Sequence, residues 1–406
     1  CIRDRNTSPR HRLLTELYVI AVKEALNTFS YPAYLAGLQY RMYPHSRGLS
    51  VRISGYAEKQ VQLLEKVIDE MLSLDIDEQR FERYLENLRQ GLENSLKGRP
   101  SARTINSIYD ILLTASWSAE EKLQVLPMLD LQALKDHARV LLENPELIVL
   151  SVGNVSEQNS LQAARQVGRL NPGDAAVKPV PRARVRKLEA GQWSLYHTEA
   201  VPQDAAMLLL FQGRTAELEE LALMQMIGAL VHTPYYQALR TEGQVGYIVQ
   251  AFAFNVLDTP ALGFSVQSNS HSVGEIVSRT DSFLQDYAET LADLPDATFS
   301  STREGLIAQL SEEDKQLGDR ASRYWAEIDR EIYDFDTRER LISEIKGLDR
   351  QQLADYFEQL TADSSGGVLL SFSFGDKSDN ISIPGDIEQV QYPSLKEIRG
   401  SLNDFF

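Results

Sequence analysis

The strongest constraint on the fold is a repeated order of predicted elements. Each half of the 406-residue chain reads as a helix, two strands, a block of helices and a closing strand. Paired strands followed by a block of helices favour an antiparallel sheet, because a doubly wound parallel sheet would alternate strand and helix. We therefore expect an α+β fold of two homologous domains, residues 1–178 and 179–406. Each would be a mostly antiparallel sheet with helices packed on one face.

Apolar periodicity gives the individual elements of the first half. Helices are predicted at residues 10–27, 58–74 and 77–96, with others starting near 101 and 130 and one ending near 169, and strands at 34–40, 48–55 and 146–153. Tyr31-Pro32 is expected to end the first helix, because the residue before a proline avoids helical backbone angles.

The second half repeats the order. Strands are predicted at residues 193–197, 205–211, 247–254, 262–268 and 367–374, and helices at 215–231, 272–291, 295–312, 317–331, 335–346 and 349–360. Thr215 is the expected N-cap of the first of these helices, and His232-Thr233-Pro234 is expected to interrupt it. The last thirty or so residues are predicted to be an irregular tail.

Residues 171–187 differ in composition and are interpreted as an interdomain linker. Four proline or glycine residues interrupt a stretch that also carries five basic side chains. The basic cluster is either a solvated linker between acidic domains or an anion-binding segment.

Composition and charge make some classes of binding partner unfavourable. The net charge is −17 and the pI is about 4.9, which makes nucleic acid an unfavourable partner because its phosphates would be repelled. No apolar run reaches the roughly 18 residues that span a bilayer, so no membrane partner is expected. Cys1 is the single cysteine, which rules out an intramolecular disulfide. The chain shows no signal peptide and does not begin with Met, which indicates a processed form or a fragment.

A search for catalytic motifs finds no complete centre. The six histidines form neither H-E-x-x-H nor H-x-x-E-H, so no metal site is predicted on this chain. His197-Thr198-Glu199 resembles part of a deaminase motif but lacks the paired cysteines. No serine lies in a G-x-S-x-G turn. Residues 375–378 (Gly-Asp-Lys-Ser) lack the spacing and the following helix of a phosphate-binding loop.

One stretch stands out, residues 239–249, which read Leu-Arg-Thr-Glu-Gly-Gln-Val-Gly-Tyr-Ile-Val. It is predicted to be a helix end, a glycine-assisted turn and the start of a strand. Such a corner can direct Arg240 and Tyr247 into one cleft. The alternative interpretation is a surface arginine and a half-buried tyrosine at an ordinary turn.

The same stretch resembles the L-R-T-x-x-Q-L-G-Y signature in the C-terminal half of the insulysin/pitrilysin family of zinc metallopeptidases. Leu35-Ala36-Gly37-Leu38-x-Tyr40 resembles a segment of the family's third domain. Gln267-Ser268, Tyr324-Trp325-x-Glu327-Ile328 and Tyr333-x-Phe335-Asp336 resemble its fourth domain. These matches occur in the family's order along nearly the whole chain.

The resemblance implies the C-terminal half of a zinc metalloendopeptidase, which closes on a peptide together with an N-terminal catalytic half. Zinc is expected in the full-length enzyme through that N-terminal half, and none on this chain. Arg240 would bind substrate carbonyl groups, Tyr247 would donate to the oxyanion of the tetrahedral intermediate, and Gln244 would contribute to substrate binding while shaping the turn. The chain alone is therefore expected to be inactive.

Three further expectations remain open. The same fold also serves non-catalytic scaffold or partner subunits in processing-peptidase-like complexes, which is the alternative function. Some members of the family that the chain resembles carry a lysine-rich loop that binds polyanions. The corresponding residues 311–316 carry one lysine among three acidic residues, so regulation by polyanions is doubtful. Resemblance to bacterial pitrilysin-type enzymes weakly favours the periplasm over the cytoplasm.

Overall fold

The chain folds into two compact units. The computed structural model describes residues 1–3, 7–171, 180–199, 204–361, 366–375, 381 and 388–406. The first unit comprises Cys1–Ser95, Ala115–Ala183 and Lys315–Trp325, and the second comprises Leu96–Thr114, Arg184–Asp314 and Ala326–Phe406. The predicted boundary between residues 178 and 179 lies outside the described residues, as do residues 172–179 of the predicted linker and residues 376–378. The boundary stays a prediction.

The helices and strands alternate irregularly along the chain. Up to residue 170 they are β1 (Ile2–Arg3), α1 (Pro9–Ala25), α2 (Asn27–Leu35), β2 (Leu38–His45), β3 (Gly48–Gly55), α3 (Gln60–Leu72), α4 (Glu78–Leu96), α5 (Pro100–Leu112), α6 (Ala119–Val125), α7 (Leu131–Leu141), β4 (Glu146–Leu147) and α8 (Glu157–Gly168). Beyond it they are β5 (Gln192–His197), β6 (Ala205–Gln212), α9 (Leu218–Tyr236), β7 (Ile248–Val256), β8 (Thr259–Ser268), α10 (Val273–Ala292), α11 (Asp296–Leu310), α12 (Leu317–Asp329), α13 (Thr337–Gly347), α14 (Arg350–Thr361), β9 (Val368–Ser373), β10 (Glu388–Tyr392) and α15 (Leu395–Ser401).

The first unit is built on a four-stranded antiparallel sheet in the order β2-β3-β1-β4. Helix α1 begins where the Ser8 hydroxyl accepts a hydrogen bond from the His11 amide and Pro9 occupies the first turn. Its apolar residues recur at helical spacing, and they are buried in one core with residues of β3, α3 and α7. The amphipathic pattern that predicted this helix therefore marks its buried face.

The second unit is built on a six-stranded sheet in the order β10-β5-β9-β6-β8-β7. The pairs that join β9, β6, β8 and β7 are antiparallel, whereas β10, β5 and β9 pair in parallel. Every residue of β6 is buried, because Met207 and Leu209 face the core formed with α9 while Leu208 and Leu210 face α5. The predicted α+β class with mostly antiparallel pairing is confirmed. Helix α5 adds a layer on the opposite face of this sheet, which the sequence did not indicate.

Helix α9 departs from its prediction at both ends. Its N-cap is Glu217 rather than Thr215, and the helix continues through His232-Thr233-Pro234 to Tyr236. Ten of its residues are buried, so packing outweighs the backbone hydrogen bond that Pro234 removes. Gly228 allows the close approach to β7, because a Cβ atom there would lie 2.7 Å from the Ala253 Cβ.

Four further differences have local causes. Helix α2 contains Pro32 and ends at Leu35 instead of stopping before the proline. Helix α6 was not predicted, although a capping box of Ser118 and Glu121 marks its start. The supposed irregular tail contains β10, a largely polar strand that pairs with β5, and α15. The predicted strand at 146–153 is reduced to Glu146–Leu147.

No described helix combines the length and the apolar character that crossing a membrane requires.

A buried carboxylate holds the start of α9 in place. Glu220 accepts hydrogen bonds from the backbone amides of Arg214 and Thr215, from the Thr215 hydroxyl and from the Tyr356 hydroxyl. Burial acts to raise the pKa of Glu220, but these hydrogen bonds outweigh it and hold the pKa below its ordinary value. The negative charge also lies in the first turn of the helix, where the helix dipole favours it.

We expect Glu220→Gln to lower the free energy of unfolding by about 1–3 kcal/mol at neutral pH, since an amide nitrogen would then face buried donors. Because the folded-state pKa is depressed, this contribution is present above the ordinary carboxyl pKa and is lost as the pH falls through the folded value. Urea unfolding at pH 7 and at acidic pH measures both effects. The control is Glu219→Gln at the adjacent exposed position. Equal stabilities of the two variants at pH 7 would contradict the assignment.

Candidate functional site: the helix-to-strand corner

The corner predicted from the sequence begins with a widened helical turn. Residues Gln237–Glu242 continue α9 as a π-helix, a form that occurs mostly as single turns and frequently at functional sites. The Gly243 amide donates to the Ala238 carbonyl at 2.8 Å, and the Val245 amide donates to the Leu239 carbonyl at 2.8 Å. Leu239 and Val245 are both buried, so the turn is anchored from both sides.

The residue that reverses the chain is Gln244. Its φ of +49° places it in the left-handed region, which is uncommon for a residue other than glycine. Neither Gly243 nor Gly246 adopts a positive φ. The expectation that the glycines set the turn conformation is therefore wrong. Gly246 has a steric role instead. A Cβ on Gly246 would lie 2.5 Å from the Gln267 carbonyl oxygen of β8, so only glycine allows the chain to pass this close.

Arg240 is exposed and braced by the turn that it precedes. Its Nη1 donates to the Gly246 carbonyl at 2.8 Å, and this is the only hydrogen bond of its side chain among the described residues. A guanidinium group has five N–H donors, so most of them remain available for a ligand. Gln244 is exposed on the same turn.

Tyr247 lies directly before β7, with 45% of its surface exposed. Its hydroxyl donates to Asp204 Oδ2 at 2.5 Å and accepts from Gln267 Nε2 at 2.5 Å. Gln267 Nε2 also lies 2.9 Å from Asp204 Oδ2, and Gln267 Oε1 accepts from the Ser101 amide at the start of α5 at 3.2 Å. We call Tyr247, Asp204 and Gln267 the hydroxyl cluster.

Strand order explains how the hydroxyl cluster forms. Asp204 directly precedes β6, Gln267 lies near the end of β8, and Tyr247 directly precedes β7. Because β6 and β7 both pair antiparallel with β8, these three positions meet at the same end of the sheet. Sequence reasoning assigned no role to Asp204 or Gln267. Gln267 lies in a segment that resembled the family, whereas no local signal marks Asp204.

The hydroxyl cluster raises the pKa of Tyr247 above its ordinary value. The hydrogen bond to Asp204 is the largest of the effects that raise the pKa of Tyr247, and burial and the charge of Asp204 add to it. Gln267 and the charge of Arg99 act in the opposite direction but are outweighed. A tyrosine with a raised pKa remains a hydrogen-bond donor throughout the neutral range.

The described residues contain no group of three or more His, Cys, Asp and Glu side chains placed to hold a metal ion. Two side chains of helix α9 that could in principle bind a metal, Glu220 and His232, already have hydrogen-bond partners. Its buried Glu220 is saturated by four donors, and His232 Nδ1 lies 2.9 Å from the Ala251 carbonyl oxygen. These side chains have structural hydrogen-bond partners and do not fit a zinc site.

Two family models match the chain. Residues 2–125 match the middle or third domain of M16 peptidases, and residues 226–325 match the fourth domain, in the C-terminal lobe, of proteins similar to the PQQ synthase PqqF. The chain is 25% identical to an insulin-degrading enzyme of Drosophila melanogaster over 94% of its own length and 39% of the relative. It is 26% identical to Protease 3 of Salmonella typhi over 91% of its own length and 38% of that relative.

Solved structures share this fold. Pitrilysin superimposes with a TM-score of 0.91 at 22% identity, covering 99% of this chain and 43% of pitrilysin. A protease from Helicobacter pylori superimposes with a TM-score of 0.69 at 12% identity, covering 91% of this chain and 90% of the other.

Together, the two domain matches, the relatives and the pitrilysin-like fold support a C-terminal half of an insulinase-family (M16) protein. The chain spans 35–41% of the length of the curated relatives compared with it.

We expect Asp204→Asn to lower the pKa of Tyr247, because the amide removes the charged acceptor that favours the neutral phenol. Ultraviolet difference titration against the matching Tyr247→Phe variant isolates this one tyrosine. A second variant, Gln267→Leu, removes the donor that favours the phenolate and should shift the pKa upward. An unchanged pKa in Asp204→Asn would show that the hydroxyl cluster does not control the proton.

Proposed function

We propose that this chain is the substrate-clamping C-terminal half of a zinc metalloendopeptidase and is catalytically incomplete alone. The observation that carries this proposal is the corner of Arg240 and Tyr247, which presents cationic and hydroxyl donors at one exposed turn of an M16-family chain. In this proposal the zinc and the general base come from an N-terminal half, either on the same polypeptide or on a separate subunit.

Arg240 would bind peptide carbonyl groups of the substrate. One donor of its guanidinium is held by Gly246, which limits the freedom of the side chain before substrate arrives. A side chain restrained in this way loses less conformational entropy on binding. The remaining donors can then form charge-assisted hydrogen bonds, which are stronger than neutral ones.

Tyr247 would donate to the carbonyl oxygen of the scissile peptide as that oxygen becomes negative. Its O–H now donates to Asp204, so the hydroxyl must turn from that carboxylate to the substrate. Gln267 can follow either arrangement, because its Nε2 lies within hydrogen-bond distance of both oxygens. Donation to a developing oxyanion lowers the energy of the transition state more than that of the bound substrate.

We expect Tyr247→Phe in the complete enzyme to lower kcat by up to about 10²–10³, the effect of losing one oxyanion donor, with a much smaller change in KM. Steady-state cleavage of a fluorogenic peptide measures both constants. Tyr236→Phe is the matched control, since Tyr236 has the same exposure of 45% and lies just before the corner. An unchanged kcat in Tyr247→Phe would refute the role of the hydroxyl.

We also expect the purified 406-residue chain to bind peptide weakly and to cleave none, with or without added zinc. Adding the N-terminal half as a separate polypeptide should restore zinc-dependent cleavage, and Arg240→Lys should weaken that restored activity because lysine lacks the guanidinium fork. Zinc-dependent cleavage by the chain alone would disprove catalytic incompleteness. Failure of any N-terminal half to restore activity would favour a non-catalytic partner subunit.

A further inference from the structure

The hydroxyl cluster is connected to helix α5 through the side chain of Gln267. Gln267 Oε1 accepts a hydrogen bond from the Ser101 backbone amide at 3.2 Å. Nε2 of the same side chain lies 2.5 Å from the Tyr247 hydroxyl and 2.9 Å from Asp204 Oδ2. All four residues belong to the second unit. Gln267 and Ser101 are buried, so bulk water has little access to the hydrogen bond between them.

The start of α5 needs a hydrogen-bond acceptor from elsewhere in the fold, because the first amides of a helix have no partner within it. Pro100 lies in the first turn of α5 and carries no N–H group. Within the described part of the chain, the N-cap residue Arg99 makes no capping hydrogen bond with its side chain. The Ser101 amide is therefore the first donor of α5, and it is satisfied by Gln267 of strand β8.

The partners of Gln267 hold its side-chain amide in one orientation. A side-chain amide can be placed with its oxygen and nitrogen exchanged, and its hydrogen-bond partners decide which placement is correct. The Ser101 N–H group can only donate, so the Gln267 oxygen must face it. The Asp204 carboxylate can only accept, so the Gln267 nitrogen must face the hydroxyl cluster. The exchanged placement would set donor against donor at Ser101 and acceptor against acceptor at Asp204.

The orientation of Gln267 determines how the Tyr247 hydroxyl can bond. A tyrosine hydroxyl has one O–H donor and can also accept a hydrogen bond. Because Gln267 Nε2 donates to the Tyr247 oxygen, the phenol proton points away from Gln267. In this structure Tyr247 donates that proton to Asp204. A ligand that takes the place of Asp204 therefore meets a donor.

These hydrogen bonds all run in one direction. Ser101 donates to Gln267, Gln267 donates to Tyr247, and Tyr247 donates onward. Hydrogen bonds in such a chain polarise one another, and the N-terminus of α5 adds a partial positive charge at its start. The hydrogen bond to Asp204 raises the pKa of Tyr247, whereas the one from Gln267 acts to lower it. Gln267 thus strengthens the O–H group as a donor.

Both ends of this connection are fixed by other contacts. The hydroxyl groups of Ser107 in α5 and Ser371 in β9 lie 2.6 Å apart in the buried layer between helix and sheet. The Tyr247 amide donates to the Gln267 backbone carbonyl at 3.0 Å. Gln267 therefore contacts Tyr247 at its backbone as well as at its hydroxyl, and the Ser101 amide is held at a constant position on the sheet.

We propose that Gln267 is a positioning residue that makes Tyr247 an obligate hydrogen-bond donor towards the substrate oxygen. The Ser101 amide sets the orientation of Gln267, and Gln267 sets the direction of the Tyr247 proton. The part of this inference that concerns substrate rests on the proposed function, in which Tyr247 donates to the scissile carbonyl. The orientation of Gln267 requires no activity and can be tested in the chain alone.

Exchanging the Gln267 amide for a carboxylate tests its orientation in the 406-residue chain. Gln267→Glu keeps the acceptor for Ser101 but replaces the donor to Tyr247 by an acceptor that takes the phenol proton. Ultraviolet difference titration against the matching Tyr247→Phe variant should therefore give a higher pKa for Tyr247. Gln250→Glu, the same exchange at an exposed position of β7, should change that pKa much less. Equal pKa values in Gln267→Glu and the parent chain would overturn the proposal.

A double-mutant cycle in the complete enzyme separates positioning from a structural role. Gln267→Met keeps the length of the side chain but has no amide. It should lower kcat by about three- to tenfold, the effect of one hydrogen bond, with little change in KM. In the Tyr247→Phe background the same substitution should lower kcat no further, because no hydroxyl is left to orient. Gln267→Glu should give the same pattern and serves if Gln267→Met does not fold.

The outcomes of the cycle are distinct. A loss of kcat that disappears without the Tyr247 hydroxyl supports the positioning role. Equal losses from Gln267→Met in both backgrounds would refute positioning through Tyr247 and leave the proposed function intact. An unchanged kcat in Tyr247→Phe itself would refute the proposed function and, with it, the role of Gln267 towards substrate.

Discussion

The arrangement of the second unit depends on the antiparallel pairing of β8 with both β6 and β7. Every residue of β8 is buried, and its carbonyl at Gln267 approaches Gly246 so closely that no side chain fits between them. The close contact of Gly246 with β8 fixes where the chain enters β7, and it therefore fixes the position of Tyr247. It also brings the residue before β6, Asp204, to the same end of the sheet. The geometry of the corner is thus a consequence of strand register.

The corner combines restraint with available donors. One N–H group of Arg240 donates to the backbone of its own turn. The Tyr247 hydroxyl is held by the Asp204 carboxylate and the Gln267 amide of neighbouring strands. The Asp204 carboxylate raises the pKa of the Tyr247 phenol and competes with any ligand for the hydrogen bond that the hydroxyl donates. In the proposed function this arrangement favours a ligand oxygen that carries more negative charge than a resting carbonyl group, because such an acceptor competes better with Asp204.

Much of this could be predicted from the sequence. The spacing of apolar residues located most helices and strands, because the buried face of a helix or strand recurs at a fixed interval along the sequence. Predictions were wrong where tertiary contacts outweigh local preference. Pro234 is tolerated within α9 because ten residues of that helix are buried, and the polar strand β10 is ordered by pairing with β5. The segment at 146–153 carries a strand pattern that the described chain leaves largely unpaired.

The α+β class, the family resemblance and the choice of Arg240, Gln244 and Tyr247 as candidate site residues could be predicted from the sequence, because each depends on local spacing or on a contiguous motif. The tertiary structure alone decided that Gln244 takes the left-handed conformation and that Asp204 and Gln267 hold the Tyr247 hydroxyl. These features depend on which strands lie side by side, and strand order joins residues that are distant in the sequence and carry no local sign of their contact.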